Sequence, residues 1–146
     1  MAFRDESDEL LSEAGGGATS ALVDKRSLSK PDRFNGVEKD WPDWSFVTKS
    51  YLGLISPKVK RRLSKVEDMT EPITMEMLQN DENSAETLAE AAELYHAIVM
   101  LVKPNTKAMT ILKSVEEGNG YEAWRKLARK YAPTAGGRYL GMLHSI

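Results

Sequence analysis

The stretch GNGYEAWRKLARKY, residues 118–131, indicates the fold of the chain more clearly than any other part of the sequence. Its glycines, Gly118 and Gly120, are expected to end one helix and to separate it from the next. After them, apolar side chains recur at steps of three and four residues, a spacing typical of a helix that buries one face. These side chains are Tyr121, Trp124, Leu127, Ala128 and Tyr131. We therefore predict an amphipathic helix that packs against a larger core.

The same spacing predicts four helices upstream of this stretch. The first should follow Asp40, which can cap it, and should bury one apolar face. That face would consist of Trp41, Trp44, Val47, Tyr51, Leu54 and Ile55. A second helix is predicted at residues 57–67, with Ser56 as its cap. A long helix is predicted from its cap at Ser84 to Val102, and a shorter one at residues 106–115.

The pattern as a whole indicates a purely helical domain. No stretch alternates apolar and polar residues for long enough to predict a β-strand, and the connections are short. We therefore predict an all-α fold, a compact bundle of about five to six helices at residues 31–146. A flexible, acidic and glycine-rich tail is expected at residues 1–30. An apolar segment at residues 139–146 has no stop signal, so we expect the domain to be truncated at its C-terminus.

The composition favours a binding or structural protein over an enzyme. The chain has 146 residues and no cysteine, which excludes thiolate zinc sites and a cysteine nucleophile. Its two histidines, His96 and His144, lie in no metal-binding or nucleophile motif. We therefore expect no catalysis, no metal and no cofactor. The lack of cysteine and of a membrane-spanning apolar run predicts an intracellular, cytoplasmic protein that does not enter a membrane.

Two groups of basic residues are candidate contacts for nucleic acid, although the net charge is −2. The first group lies on one stripe of the helix at residues 57–67 and consists of Lys58, Arg61, Arg62 and Lys65. The second lies on the last helix and consists of Arg125, Lys126, Arg129 and Lys130. Cations on one helix face can neutralise phosphates. They can equally form a solvated face or a protein contact, so both interpretations stay open.

Several motifs follow one another in a distinctive order. They are Phe34-Asn35-Gly36, then Trp41, Trp44 and Phe46, then Leu94-Tyr95, then residues 118–127, and finally Tyr131 and Arg138. This order resembles the Gag polypeptide of copia-type retrotransposons, which carry long terminal repeats, and in particular its N-terminal capsid lobe. The resemblance implies a helical lobe that self-associates into capsid-like particles around RNA. For an isolated lobe, we expect weak homo-oligomers.

Two further expectations concern the residues that anchor the core and the features of the Gag family that this sequence lacks. We expect eight residues to anchor the core, and the resemblance implies this role for the three tryptophans among them. The eight are Phe34, Trp41, Trp44, Tyr51, Tyr95, Trp124, Leu127 and Tyr131. A second capsid lobe and a cysteine-containing zinc knuckle are missing, so the chain is expected to be a fragment of a larger polyprotein or a decayed copy. The alternative functions are a nucleic-acid-binding module that uses the basic helix faces and a domesticated helical adaptor that binds a peptide.

Overall fold

A computed structural model of the chain describes residues 29–132. Within this range it contains six α-helices and one short 3-10 turn, so the predicted all-α fold is confirmed. The helices are α1 Trp41–Ile55, α2 Pro57–Val66, α3 Met75–Gln79, α4 Ser84–Met100, α5 Lys107–Ser114 and α6 Gly120–Tyr131. The apolar segment predicted at residues 139–146 and all but the last two residues of the predicted tail lie outside the described residues.

Side-chain caps determine where several of these helices begin. In each case a side-chain oxygen accepts a hydrogen bond from the backbone N–H three residues further on, as at Ser56, Thr74, Thr106 and Asn119. Two other predicted caps are wrong. Asp40 has helical backbone angles, and its carboxylate accepts a bond of 2.7 Å from Asn35 Nδ2 instead. α4 begins at Ser84 itself, after Asn83, whose side chain forms no capping bond.

α6 lies at the centre of the bundle. It packs against α4, α2 and α5, while α1 packs on α2 and α3 packs on α4. Gly120 makes the close contact with α4 possible, because a Cβ there would lie 2.5 Å from Tyr95 N and 2.7 Å from Ala91 O. These distances are shorter than van der Waals contact, so only a residue without a side chain fits.

An aromatic cluster holds the beginning of α1 against α6. The Phe34 ring lies 5.0 Å from the Trp44 ring and 4.9 Å from the Tyr131 ring, measured between centroids. Trp41 lies 5.3 Å from Trp124 in the same way. The backbone of Phe34 also pairs with the chain just after α4, in an isolated β-bridge. These contacts fix the rotation of α1 about its axis.

The eight expected core anchors occupy the interior. Seven of them are buried, and Tyr51 is half-buried at the edge of the core. Trp124 and Leu127 of α6 are fully enclosed. The central helix therefore presents its aromatic and aliphatic side chains to the other helices, as its spacing predicted.

The predicted apolar face of α1 is wrong in its second half. Val47, Leu54 and Ile55 are 51%, 39% and 47% exposed, whereas Thr48 and Leu52 are buried. The physical reason is the aromatic cluster, which turns the beginning of α1 toward α6. Positions 48 and 52 continue that same face one and two turns later, so the apolar residues at 47 and 54 lie outside.

Candidate functional site

Polar side chains of α6 and its cap hold the loop between α2 and α3 in place. Asn119 Nδ2 donates a hydrogen bond of 2.9 Å to Ile73 O, and Glu122 accepts one of 2.8 Å from Ile73 N. Arg125 donates to both carboxylate oxygens of Glu122, at 2.7 and 2.9 Å, and this hydrogen bonding raises the pKa of Arg125. All three polar side chains are buried. These polar residues of the stretch 118–131 therefore stabilise the fold.

A second set of contacts fastens the same loop at Glu67. One of its carboxylate oxygens accepts a hydrogen bond of 2.7 Å from Trp124 Nε1, and the other accepts one of 3.2 Å from Lys49 Nζ. Arg129 Nη1 donates to Met69 O at 3.3 Å. The loop is thus bonded to both α1 and α6 at its beginning and to α6 at its end.

Arg62, a predicted nucleic-acid contact, lies inside the bundle. It is 2% exposed, and its Nη1 donates to Glu90 Oε1 at 2.5 Å. The Tyr121 hydroxyl donates to the same oxygen. Burial alone would lower the pKa of Arg62, but the hydrogen bond with Tyr121 and the charge of Glu90 raise it. Burial also raises the pKa of Tyr121, with a further contribution from Glu90. These three residues link α2, α4 and α6.

The other predicted basic contacts do not complete a cationic face. Lys58 pairs with Glu86 of α4 at 2.8 Å, and this hydrogen bond lowers the pKa of Glu86. Three of the others are exposed, namely Lys65, Arg129 and Lys130, and two are half-buried, namely Arg61 and Lys126. The prediction of an exposed cation is therefore wrong for Arg62 and Arg125, which form ion pairs in the interior.

Residues 29–132 contain no group of three or more histidine, cysteine, aspartate or glutamate side chains placed to hold a metal ion. His96 is exposed on α4, and its ring packs edge-on against Tyr95 with centroids 5.5 Å apart. None of the described helices is both long and apolar enough to cross a membrane. His144 lies outside the described residues.

The outward face of α1 carries an apolar stripe. We define the outer stripe as Asp43, Phe46, Val47, Ser50 and Leu54, which recur at steps of one, three and four residues. Its apolar members Phe46, Val47 and Leu54 are 70%, 51% and 39% exposed. The helical repeat places the outer stripe opposite the buried aromatic face of the same helix. Contiguous exposed apolar side chains of this kind mark protein contacts.

A shallow hollow adjoins the C-terminal half of the outer stripe. It is lined by Ser50, Gly53, Leu54, Pro57, Lys60, Arg61 and Ser64. Lys60 lies across Gly53, since a Cβ on that glycine would lie 2.6 Å from Lys60 Cδ. The hollow therefore combines an apolar part, at Leu54 and Pro57, with a basic side chain.

A cleft of about 450 Å³ separates α4 from the α1–α2 pair. α1 and α4 are not among the closely packed helix pairs, which leaves the bundle open between them. The apolar part of the lining includes Tyr51, Leu52, Val59 and Leu94, and the acidic part consists of Glu86, Glu90 and Glu93. Such a lining fits a ligand that is both apolar and basic.

Comparison of the sequence with protein family models, with curated proteins and with solved structures finds no match. Sequence reasoning predicted neither the outer stripe nor the acidic cleft. The available signal for the stripe was that the first helix has apolar residues on two faces, including Phe46, which lies off the predicted buried face.

Proposed function

We propose that the chain is a retrotransposon Gag-like assembly domain, which self-associates into capsid-like particles and has no catalytic activity. The outer stripe of α1 carries the proposal, because it exposes three apolar side chains on the face opposite the core. The motif order that resembles copia-type Gag supports it independently. We also propose a cytoplasmic location, which suits a chain without cysteine.

Self-association through such a surface is expected to be weak for a single pair of chains. Complete burial of a side chain such as Phe46, Val47 or Leu54 contributes about 1.5–3 kcal/mol. These side chains are already partly covered, and association costs about 4 kcal/mol or more in lost translation and rotation. For two copies with these side chains about half exposed, the balance is a net of about 1–6 kcal/mol, which corresponds to a dissociation constant of roughly tens of micromolar at the tightest and of about millimolar or weaker over most of that range. Repeated contacts within a particle would strengthen the assembly through multivalency.

A concentration series of the full-length chain tests this proposal. Light scattering should show an average mass that rises with concentration, with and without added RNA. The rise should persist at high salt, because apolar contacts are not screened as surface charges are. A mass that stays at that of one chain under all these conditions would contradict the proposal.

The acidic cleft favours a second candidate function, a helical adaptor that binds a peptide. Amphipathic helices commonly bind by laying their apolar face into a groove. Because Glu86 and Glu90 are paired with Lys58 and Arg62, the exposed Glu93 would be the residue that attracts lysine or arginine on the polar face of the bound helix. A nucleic-acid function has less support, because two of the eight candidate cations, Arg62 and Arg125, are in buried ion pairs.

Two designed peptides with the same leucine face, one with lysine and one with glutamate on its polar face, test the adaptor function. Fluorescence anisotropy should show tighter binding of the lysine peptide by at least tenfold. Glu93→Lys in the cleft should weaken that binding, whereas Glu117→Lys, an exposed residue outside the cleft lining, should not. Equal affinities for the two peptides would argue against the adaptor.

A further inference from the structure

We infer that two copies of the chain pair through the outer stripes of their α1 helices, antiparallel about a two-fold axis at Ser50. The inference rests on the proposed self-association and adds the surface and the geometry of the contact. It is carried by three features of α1 and the beginning of α2. These are the exposed side chain of Phe46, which we call the knob, the hollow beside Leu54, and the opposite charges of Asp43 and Lys60.

The knob, which is Phe46, and Leu54 of the hollow lie at equal distances from Ser50. Phe46 precedes it by four residues and Leu54 follows it by four, so each lies about 6 Å away along the axis. A two-fold axis at Ser50 therefore brings the Phe46 ring of one copy to Leu54 of the other. There the ring meets the hollow that Gly53 and Pro57 also line. The symmetry repeats the contact, so both exposed phenylalanines are covered.

The charges of the surface favour the antiparallel orientation. Asp43 is exposed at the beginning of the outer stripe, and Lys60 is exposed beside the hollow at its end. In an antiparallel pair, Asp43 of each copy approaches Lys60 of the other. A parallel pair would place the two Asp43 carboxylates side by side, where they repel. It would also leave both hollows without an aromatic ring.

The axis at Ser50 can be tested by cross-linking, because the chain has no cysteine of its own. Packed helices lie about 8–10 Å apart, and each Cα lies about 2.3 Å from its axis, so facing Cα atoms approach to about 4–5 Å. This overlaps the separation of about 4.4–6.8 Å that a disulfide spans. Under mild oxidation, Ser50→Cys should form covalent dimers at least tenfold faster than Lys113→Cys, which carries an exposed thiol on α5. Equal rates would overturn the inference.

Sedimentation of full-length variants tests the knob and the charges. Phe46→Ser should weaken association at least tenfold, whereas Met100→Ser, at another exposed apolar position, on α4, should change it less than twofold. Asp43→Lys should weaken association, and Asp43→Lys combined with Lys60→Asp should restore it. Association of the unmodified chain that is insensitive to Phe46→Ser would overturn the inference and leave the proposed function standing. An unmodified chain that never associates would overturn both.

Discussion

A methyl group added at Gly120 is expected to destabilise the bundle, although alanine is the better helix former. The new Cβ would lie 2.5 Å from Tyr95 N, 2.7 Å from Ala91 O and 2.7 Å from Leu94 Cβ. Two of these atoms belong to the backbone of α4 and cannot rotate away, so α4 and α6 must move apart. Overpacking of this kind costs about 1–3 kcal/mol. We expect Gly120→Ala to lower the free energy of unfolding by this amount.

Gly53→Ala in α1 is the matched control. Its Cβ would meet Lys60 Cδ at 2.6 Å, but this atom belongs to a flexible side chain that can turn toward solvent. The better helix propensity of alanine should then leave stability unchanged or raise it by up to about 1 kcal/mol. The two substitutions are chemically identical, but only Gly120→Ala is expected to lower the free energy of unfolding.

Urea unfolding of the full-length chain, followed by tryptophan fluorescence in dilute solution, measures both effects. The three tryptophans are buried, so their emission reports on the bundle. With a slope of about 2 kcal/mol per molar urea, a loss of about 2 kcal/mol lowers the midpoint by about 1 M. A Gly120→Ala variant as stable as the unmodified chain would refute the close approach of α4 and α6.

Three further predictions concern the interior charges, the buried tyrosine and the exposed cations. Arg62→Met should lower the free energy of unfolding by about 3 kcal/mol, because it leaves Glu90 beside the core without its cation. Adding Glu90→Gln removes that charge and keeps an acceptor for the Tyr121 hydroxyl, so it should recover most of the loss in urea unfolding; equal losses in the two variants would count against the ion pair. Burial raises the pKa of Tyr121, so its contribution to stability is present below the ordinary tyrosine pKa of about 10 and is lost as the pH rises above it. Tyr121→Phe should therefore make stability fall less steeply above about pH 10 in a series of unfolding curves, and an unchanged slope would contradict the effect. Lys130→Glu should change the free energy of unfolding by no more than about 0.5 kcal/mol, whereas Arg125→Glu should lower it by about 3 kcal/mol or more. If the chain binds nucleic acid, Lys130→Glu should also reduce the salt dependence of RNA binding. A chain that binds no RNA at low salt would reject the nucleic-acid alternative.

The helices could be predicted because their signals are local. In α2, for example, the signals lie within or next to the helix itself: its apolar spacing, Pro57 in the first turn and the cap at Ser56. The break before α6 is also local: Gly118 has a φ of +90°, a left-handed conformation that favours glycine. Such features give the order and the approximate positions of every described helix except α3 without knowledge of its neighbours.

The direction in which each helix faces depends on contacts that are distant in sequence. In α2, Arg62 follows Val59 by three residues and precedes Val66 by four, so it lies on the buried face together with Leu63. An arginine can occupy that position only because Glu90 is supplied by α4. No rule that reads α2 alone contains this partner, so the sequence predicts Arg62 as a nucleic-acid contact or as part of a solvated face rather than as a buried residue.

The polar residues of the stretch 118–131 likewise depend on partners that are distant in the sequence. The partners of Asn119, Glu122 and Arg125 include Ile73 and Met69, about 50 residues earlier in the chain. The spacing of Glu122 and Arg125 by three residues was a local sign that the two charges pair with each other. The outer stripe, in contrast, could not be predicted locally, because the rotation of α1 depends on ring contacts with Phe34, Trp124 and Tyr131.

Amide chemical shifts recorded during dilution of the full-length chain test the central claim, self-association through the outer stripe, most directly. If the copies pair in this way, the shifts that change with concentration will belong to the amides of residues 43–54 of α1 and to those of Lys60 and Arg61 beside the hollow. Amides on the far side of the bundle, in α5, will not change. Shifts that stay constant at every concentration, or changes confined to α3 or α5, would contradict it.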